Sequence, residues 1–179
     1  MTKVEHNNQD DQQQIAQLLT DLRSNVPEQQ LAAVKTCGEQ RIAQLFPDLV
    51  EVLQSIKDPY YSFPRQLMET TIWALGEIGD RKAVTYLITH IDNVFYKIQV
   101  AAMTALGKLE AEEAVEPIRQ ILNKDFYPQF VHLAAVEALG EIATPAAVAF
   151  LQELAKDKKH DTVIKEKAHQ MLSYIQGFW

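Results

Sequence analysis

Cysteine is almost missing from this 179-residue sequence. Cys37 stands alone, which excludes an internal disulfide framework and any zinc site built from several thiolates. Long apolar runs are missing too. No stretch approaches the roughly 18 apolar residues of a membrane helix, so no membrane span is expected. Basic charge is in the minority, with 17 Lys and Arg against 24 Asp and Glu and a net charge of −7. That balance does not suit a chain whose main work is neutralising phosphates, and no nucleic-acid partner is expected. No Gly-rich phosphate loop or dinucleotide fingerprint occurs. Met1 to Gln14 is polar and amide-rich and lacks the apolar core of a signal peptide. A reducing, cytoplasmic setting is the resulting expectation.

Catalytic arrangements are sparse as well. The histidines are His6, His90, His132, His160 and His169. None has a second histidine three or four residues on and none is followed by Glu, so no metal centre is expected. Cys37 takes a place where related segments carry leucine, and is read as a small apolar residue rather than a nucleophile. No Ser/His/Asp set stands out.

What the sequence does have is a core and a repeat. Hydrophobic residues make up 47% and charged residues 23%, enough to bury a sizeable interior. The segments Thr70–Ile78, Ala101–Leu109 and Ala134–Ile142 read alike, around Gly76, Gly107 and Gly140, spaced 31 and 33 residues apart. Degenerate copies at Ala32–Gly38 and Lys167–Ser173 extend the series to five. Atypical end copies suit a stacked array, whose outermost faces meet water. Each copy carries its apolar residues at helical spacing. Leu67, Thr70, Thr71, Ala74, Leu75 and Ile78 share a stripe. Ile98, Ala101, Ala102, Ala105, Leu106 and Leu109 repeat it, as do Val131, Ala134, Ala135, Ala138, Leu139 and Ile142. Shorter amphipathic segments lie between, and no period-two alternation argues for strands. The expectation is ten helices in five antiparallel pairs, with boundaries near 11–40, 41–79, 80–110, 111–143 and 144–176. Residues 1–9 are read as a disordered tail and 10–179 as one domain. Pro59 and Pro64 exclude a continuous helix through the second unit, Pro117 fits a first helical turn, and Pro47 implies a kink or a late helix start.

The Ala-Ala-x-x-Ala-Leu-Gly pattern, followed by Gly79–Val84, resembles the phycobilisome-lyase type of HEAT repeat, over roughly residues 27–176. The resemblance implies an all-α, HEAT-like solenoid whose second helices line a concave side. It also implies one of three activities known in that family: bilin lyases, chromophore-detaching factors and adaptors. Under the lyase reading a bilin tetrapyrrole would be the ligand, and a phycobiliprotein or a second HEAT-repeat subunit the partner. Under the adaptor reading no cofactor is needed. One departure stands out. Where the family often carries Val-Arg, this sequence has Leu67-Met68, Ile98-Gln99 and Val131-His132. HEAT-type deoxyhypusine hydroxylases hold iron with His-Glu pairs, and those pairs are missing here.

Two surfaces are candidates for binding. The stripe opposite the apolar one on the second helices holds Gln66, Glu69 and Trp73; Lys97, Val100 and Thr104; and Phe130, Leu133 and Glu137. A solvated face would be charged throughout, so Trp73, Val100, Phe130 and Leu133 suggest a partner or pigment surface. The other reading is that the helical register is one residue off and these side chains are core. His132, next to Leu133, is either a donor to a ligand or a satisfied side chain. The second surface comes from aromatics. Eight of the fifteen aromatic residues fall where one helix turns into the next: Tyr60, Tyr61, Phe63, Phe95, Tyr96, Phe126, Tyr127 and Phe130. They make either a ladder along one edge, suited to a half-wet interface, or staples that close the helix pairs. Phe178 and Trp179 are expected to fold back over the last repeat.

Overall fold

The computed structural model describes residues 3–177. Among these residues the chain is all helical, with ten α-helices and three short 3-10 turns. The helices fall into two compact units, Met1–Ile78 and Gly79–Trp179. The first unit holds α1 (Lys3–Leu22), α2 (Pro27–Glu39), α3 (Phe46–Ser55) and α4 (Ser62–Ile78). The second holds α5 (Val84–Ile88), α6 (Tyr96–Lys108), α7 (Val115–Leu122), α8 (Gln129–Ile142), α9 (Pro145–Lys156) and α10 (Thr162–Gly177). Consecutive helices pack as pairs, α1 with α2 through α9 with α10, so the five helix pairs expected from the repeat are present. α1 begins at Lys3, inside the stretch read as a tail. Phe178 and Trp179 lie outside the described residues, as do positions 1 and 2.

Local chemistry sets the helix ends. Pro47 and Pro145 occupy the first positions of α3 and α9, where a missing N–H costs nothing. α3 thus starts late rather than kinking. The Thr144 hydroxyl accepts from the Ala147 N–H and caps α9. In the second unit the short first helices are preceded by 3-10 turns at Arg81–Ala83 and Glu112–Ala114. Second helices stop by a left-handed residue. Arg41, Glu110 and Ala143 have φ near +50°, and Gly79 has φ +79°. After Arg41 the Ile42 N–H reaches back to the Cys37 carbonyl at 3.0 Å, and after Glu110 the Ala111 N–H reaches Leu106 at 3.1 Å. These are Schellman closures made without glycine.

The core of each unit lies between successive second helices. In the first unit α2 packs on α4, and in the second α6 packs on α8 and α8 on α10. Backbones come close because glycines sit at the crossings. A Cβ at Gly38 would lie 2.6 Å from the Trp73 ring and 2.9 Å from the Ala74 Cα. A Cβ at Gly140 would meet Met171 Cβ at 2.9 Å. Leu75, Ile98, Leu106 and Leu139 are fully buried, as the apolar stripes require.

Candidate functional site

None of the nine residues opposite the apolar stripe is buried. On α4, Gln66 is exposed and Glu69 and Trp73 are half-buried. On α6, Lys97 and Thr104 are exposed and Val100 is half-buried. On α8, Phe130 and Glu137 are exposed and Leu133 is half-buried. The helical register read from the sequence is therefore the one the helices have. Two of these residues are engaged within their own unit. The Trp73 ring lies over Gly38, and Glu137 accepts an ion pair from Lys167 on α10.

The aromatic residues divide more sharply. Tyr60 and Tyr61, in the turn before α4, are each 71% exposed, with Phe63 half-buried behind them. In the second unit Phe126 is 70%, Phe130 51% and Tyr96 40% exposed. Phe95 is half-buried and Tyr127 is buried. The second-unit rings form a connected cluster at the N-terminal ends of α6 and α8. Tyr96 meets Tyr127 edge-on at 6.2 Å between centroids and Phe130 at 6.1 Å, and Phe126 lies 4.4 Å from Tyr127. Edge-on contacts of this kind add to burial and hold rings at fixed angles. Val94, 69% exposed, extends the apolar surface.

A polar network stands behind these rings. The Tyr127 hydroxyl donates to Asp92 Oδ1. Lys124 Nζ donates to Asp92 Oδ2 at 2.7 Å and sits 5.7 Å from the Tyr127 ring centroid. The bond to Lys124, and then that to Tyr127, hold the Asp92 carboxyl below its ordinary pKa. Burial, followed by the bond to Asp92, pushes the Tyr127 phenol up, so it remains a donor. His132 is buried and turned away from the open face of α8. Its Nε2 lies 3.2 Å from the Lys124 carbonyl and its ring meets Tyr127 edge-on. Gln99 is fully buried, its amide without a hydrogen bond of ordinary geometry, though it lies close enough to the Tyr127 hydroxyl to offset part of that phenol's upward shift. It occupies the place of His132 one repeat earlier. Asp92 and Lys124 were not singled out in the sequence, and Gln99 only as a departure from the family's Val-Arg pattern. The only trace of the first two is the 32-residue step between them, close to the repeat length.

Cys37 is fully buried, and burial, followed by the charge of Asp48, pushes its thiol up to about 11, leaving it protonated. Among the described residues no group of three or more His, Cys, Asp or Glu is placed to hold a metal ion. A depression of about 370 Å³ between α7 and α9 is lined by Arg119, Phe150, Glu153, Asp157 and His160 among others. Within it Arg119 pairs with Glu153 at 3.6 Å, and His160 Nε2 lies 3.7 Å from Asp157. Among the described residues no helix is long and apolar enough to cross a membrane.

Comparison with known proteins gives the same repeat. Residues 70–93 match the PBS lyase HEAT-like repeat and residues 87–173 match HEAT repeats. The structure is similar to the complex of CpcE and CpcF of phycocyanin lyase from Nostoc sp. PCC7120. The TM-score is 0.69 at 19% identity, covering 89% of this chain and 64% of that one. It is also similar to an engineered protein, with TM-score 0.61 at 20% identity, covering 88% of this chain and 77% of that one. At such identities the likeness is one of fold. No curated protein matches the sequence.

Proposed function

This chain is a HEAT-repeat protein with a repeat of the phycobilisome-lyase-like type at residues 70–93, and from that premise we propose that it is a protein-interaction module that docks a partner on the aromatic edge of its second unit. One observation carries the proposal. Phe126, Phe130 and Tyr96 are exposed side by side, yet held at fixed angles by ring contacts and a polar network. Rings so placed are the usual anchors of a protein interface, since they bury much surface for little lost freedom. Cys37 is buried and its thiol protonated, so it is not placed to act as a nucleophile. A typical specific partner would bury about 800 Å² on this side. The groove positions Lys97, Val100 and Leu133 adjoin the edge on α6 and α8 and would widen it.

The comparisons support a choice of partner class. The similar structure is a complex of two chains of a phycocyanin lyase, which favours a phycobiliprotein or a second HEAT-repeat subunit as the partner. The same observation favours a second reading, that of a bilin lyase subunit or chromophore-detaching factor. One experiment separates them. The purified chain is titrated with phycocyanobilin while visible absorbance and circular dichroism are recorded, and in parallel with phycocyanin in sedimentation velocity. The docking module is expected to sediment with phycocyanin and leave the free bilin spectrum unchanged. A saturable red shift with induced dichroism would transfer the chain to the pigment handlers.

A further inference from the structure

We infer that Tyr127 is a positioning residue for the aromatic edge, a buried lock that ties the turns of two successive repeats together so that their exposed rings meet a partner already set. This rests on the docking proposal above.

The geometry singles out Tyr127. Its neighbours Phe126, Phe130 and Tyr96 are exposed, whereas Tyr127 is only 8% exposed. Its ring touches Tyr96 from α6 and Phe126 from its own turn. Its hydroxyl donates to Asp92, 35 residues earlier, in the turn before α6. The second oxygen of Asp92 accepts from Lys124, whose carbonyl in turn lies against His132 on α8. One phenol thus connects the 89–95 turn, the 123–128 turn and the starts of α6 and α8. Asp92 is itself 59% exposed, so a carboxylate on the surface would have little reason to stay in one place without these two donors. Rings ordered before an encounter need not lose rotamer freedom during it, which is how preorganisation raises affinity. A structural staple alone would not need to sit against two exposed rings, Tyr96 and Phe126, the first of which holds Phe130.

The test is Tyr127→Phe, which removes one oxygen and keeps the ring, with Asp92→Ala as a second variant that leaves every buried residue in place. The Phe95 N–H donates to the Asn93 side chain inside the 89–95 turn, and the His90 and Ile91 N–H groups donate back to Leu87 and Ile88 at the end of α5, so their hydrogen exchange reads that turn and its junction with α5. In both variants exchange there is expected to rise at least about fivefold, with α6 and α8 unchanged. The near-ultraviolet dichroism of the tyrosines is expected to weaken. Affinity for phycocyanin, read by sedimentation, is expected to fall about tenfold. Unchanged exchange at 89–95 in both variants would overturn the lock. Faster exchange with unchanged phycocyanin affinity would overturn its role in docking. If the unaltered chain does not bind phycocyanin, docking of that partner is excluded, and the exchange result alone still decides whether Tyr127 orders the edge.

Discussion

Gln99 is the least comfortable residue in the molecule. A fully buried amide without a hydrogen bond of ordinary geometry forfeits the solvation it had in the unfolded chain. The preceding repeat carries Met68 at the same place and buries it without difficulty. Gln99→Met is therefore expected to stabilise the protein by about 1 kcal/mol, read as an increased midpoint in urea unfolding. A clear loss of stability would mean that the amide is satisfied by water. Trp73 works in the opposite direction. The sequence left it between a partner or pigment surface and the core. Its ring instead covers Gly38 at a helix crossing, so Trp73→Ala is expected to cost about 2 kcal/mol of folding stability. An unchanged melting temperature would return Trp73 to the binding surface. No sequence pattern distinguishes these outcomes, because whether a half-buried ring faces solvent or a glycine depends on how closely two helices approach.

At the scale of helices the sequence was informative. The 3.6-residue spacing of Leu, Ile, Val and Ala named most of the buried stripe of α6 and α8, missing Met103 and Val136 and including the half-buried Ala101, and the recurring Ala-Leu-Gly marked the crossings. Leu106→Ala and Leu139→Ala remove fully buried side chains and are each expected to cost roughly 2–5 kcal/mol, measured by thermal or chemical unfolding. What stayed hidden was the shape of the turns. The sequence grouped Phe126 with Tyr127, and the structure gives them 70% and 8% exposure. The difference is set by a contact to Asp92 from another repeat, and no local rule contains it. Second-helix ends were hidden for a similar reason. Arg41, Glu110 and Ala143 adopt left-handed backbone that sequence rules reserve for glycine or asparagine. The following turn is held by backbone bonds and cross-repeat contacts, which outweigh a cost of about 1–2 kcal/mol.

Over the whole chain the repeat length reappears as polar links between neighbouring copies. In the first unit Arg41 reaches Glu77. In the second, Arg81 reaches Glu113 and the carbonyls of Leu109 and Glu110, Lys124 reaches Asp92, and Gln129 reaches Asp161. Exposed pairs of this kind contribute little each, but their spacing fixes the stacking of one repeat on the next. An acidic chain with scattered, paired basic residues leaves aromatic surface as its distinctive feature. The family resemblance was legible from the repeat, while the edge was legible only as a list of rings. Sedimentation of a Phe126→Ser, Phe130→Ser double variant with phycocyanin tests the docking edge most directly. Both rings are more than half exposed, so folding stability should stay within about 0.5 kcal/mol per site. The expected result is loss of binding by a chain that melts nearly as before. Binding as tight as that of the unaltered chain would contradict docking at this edge.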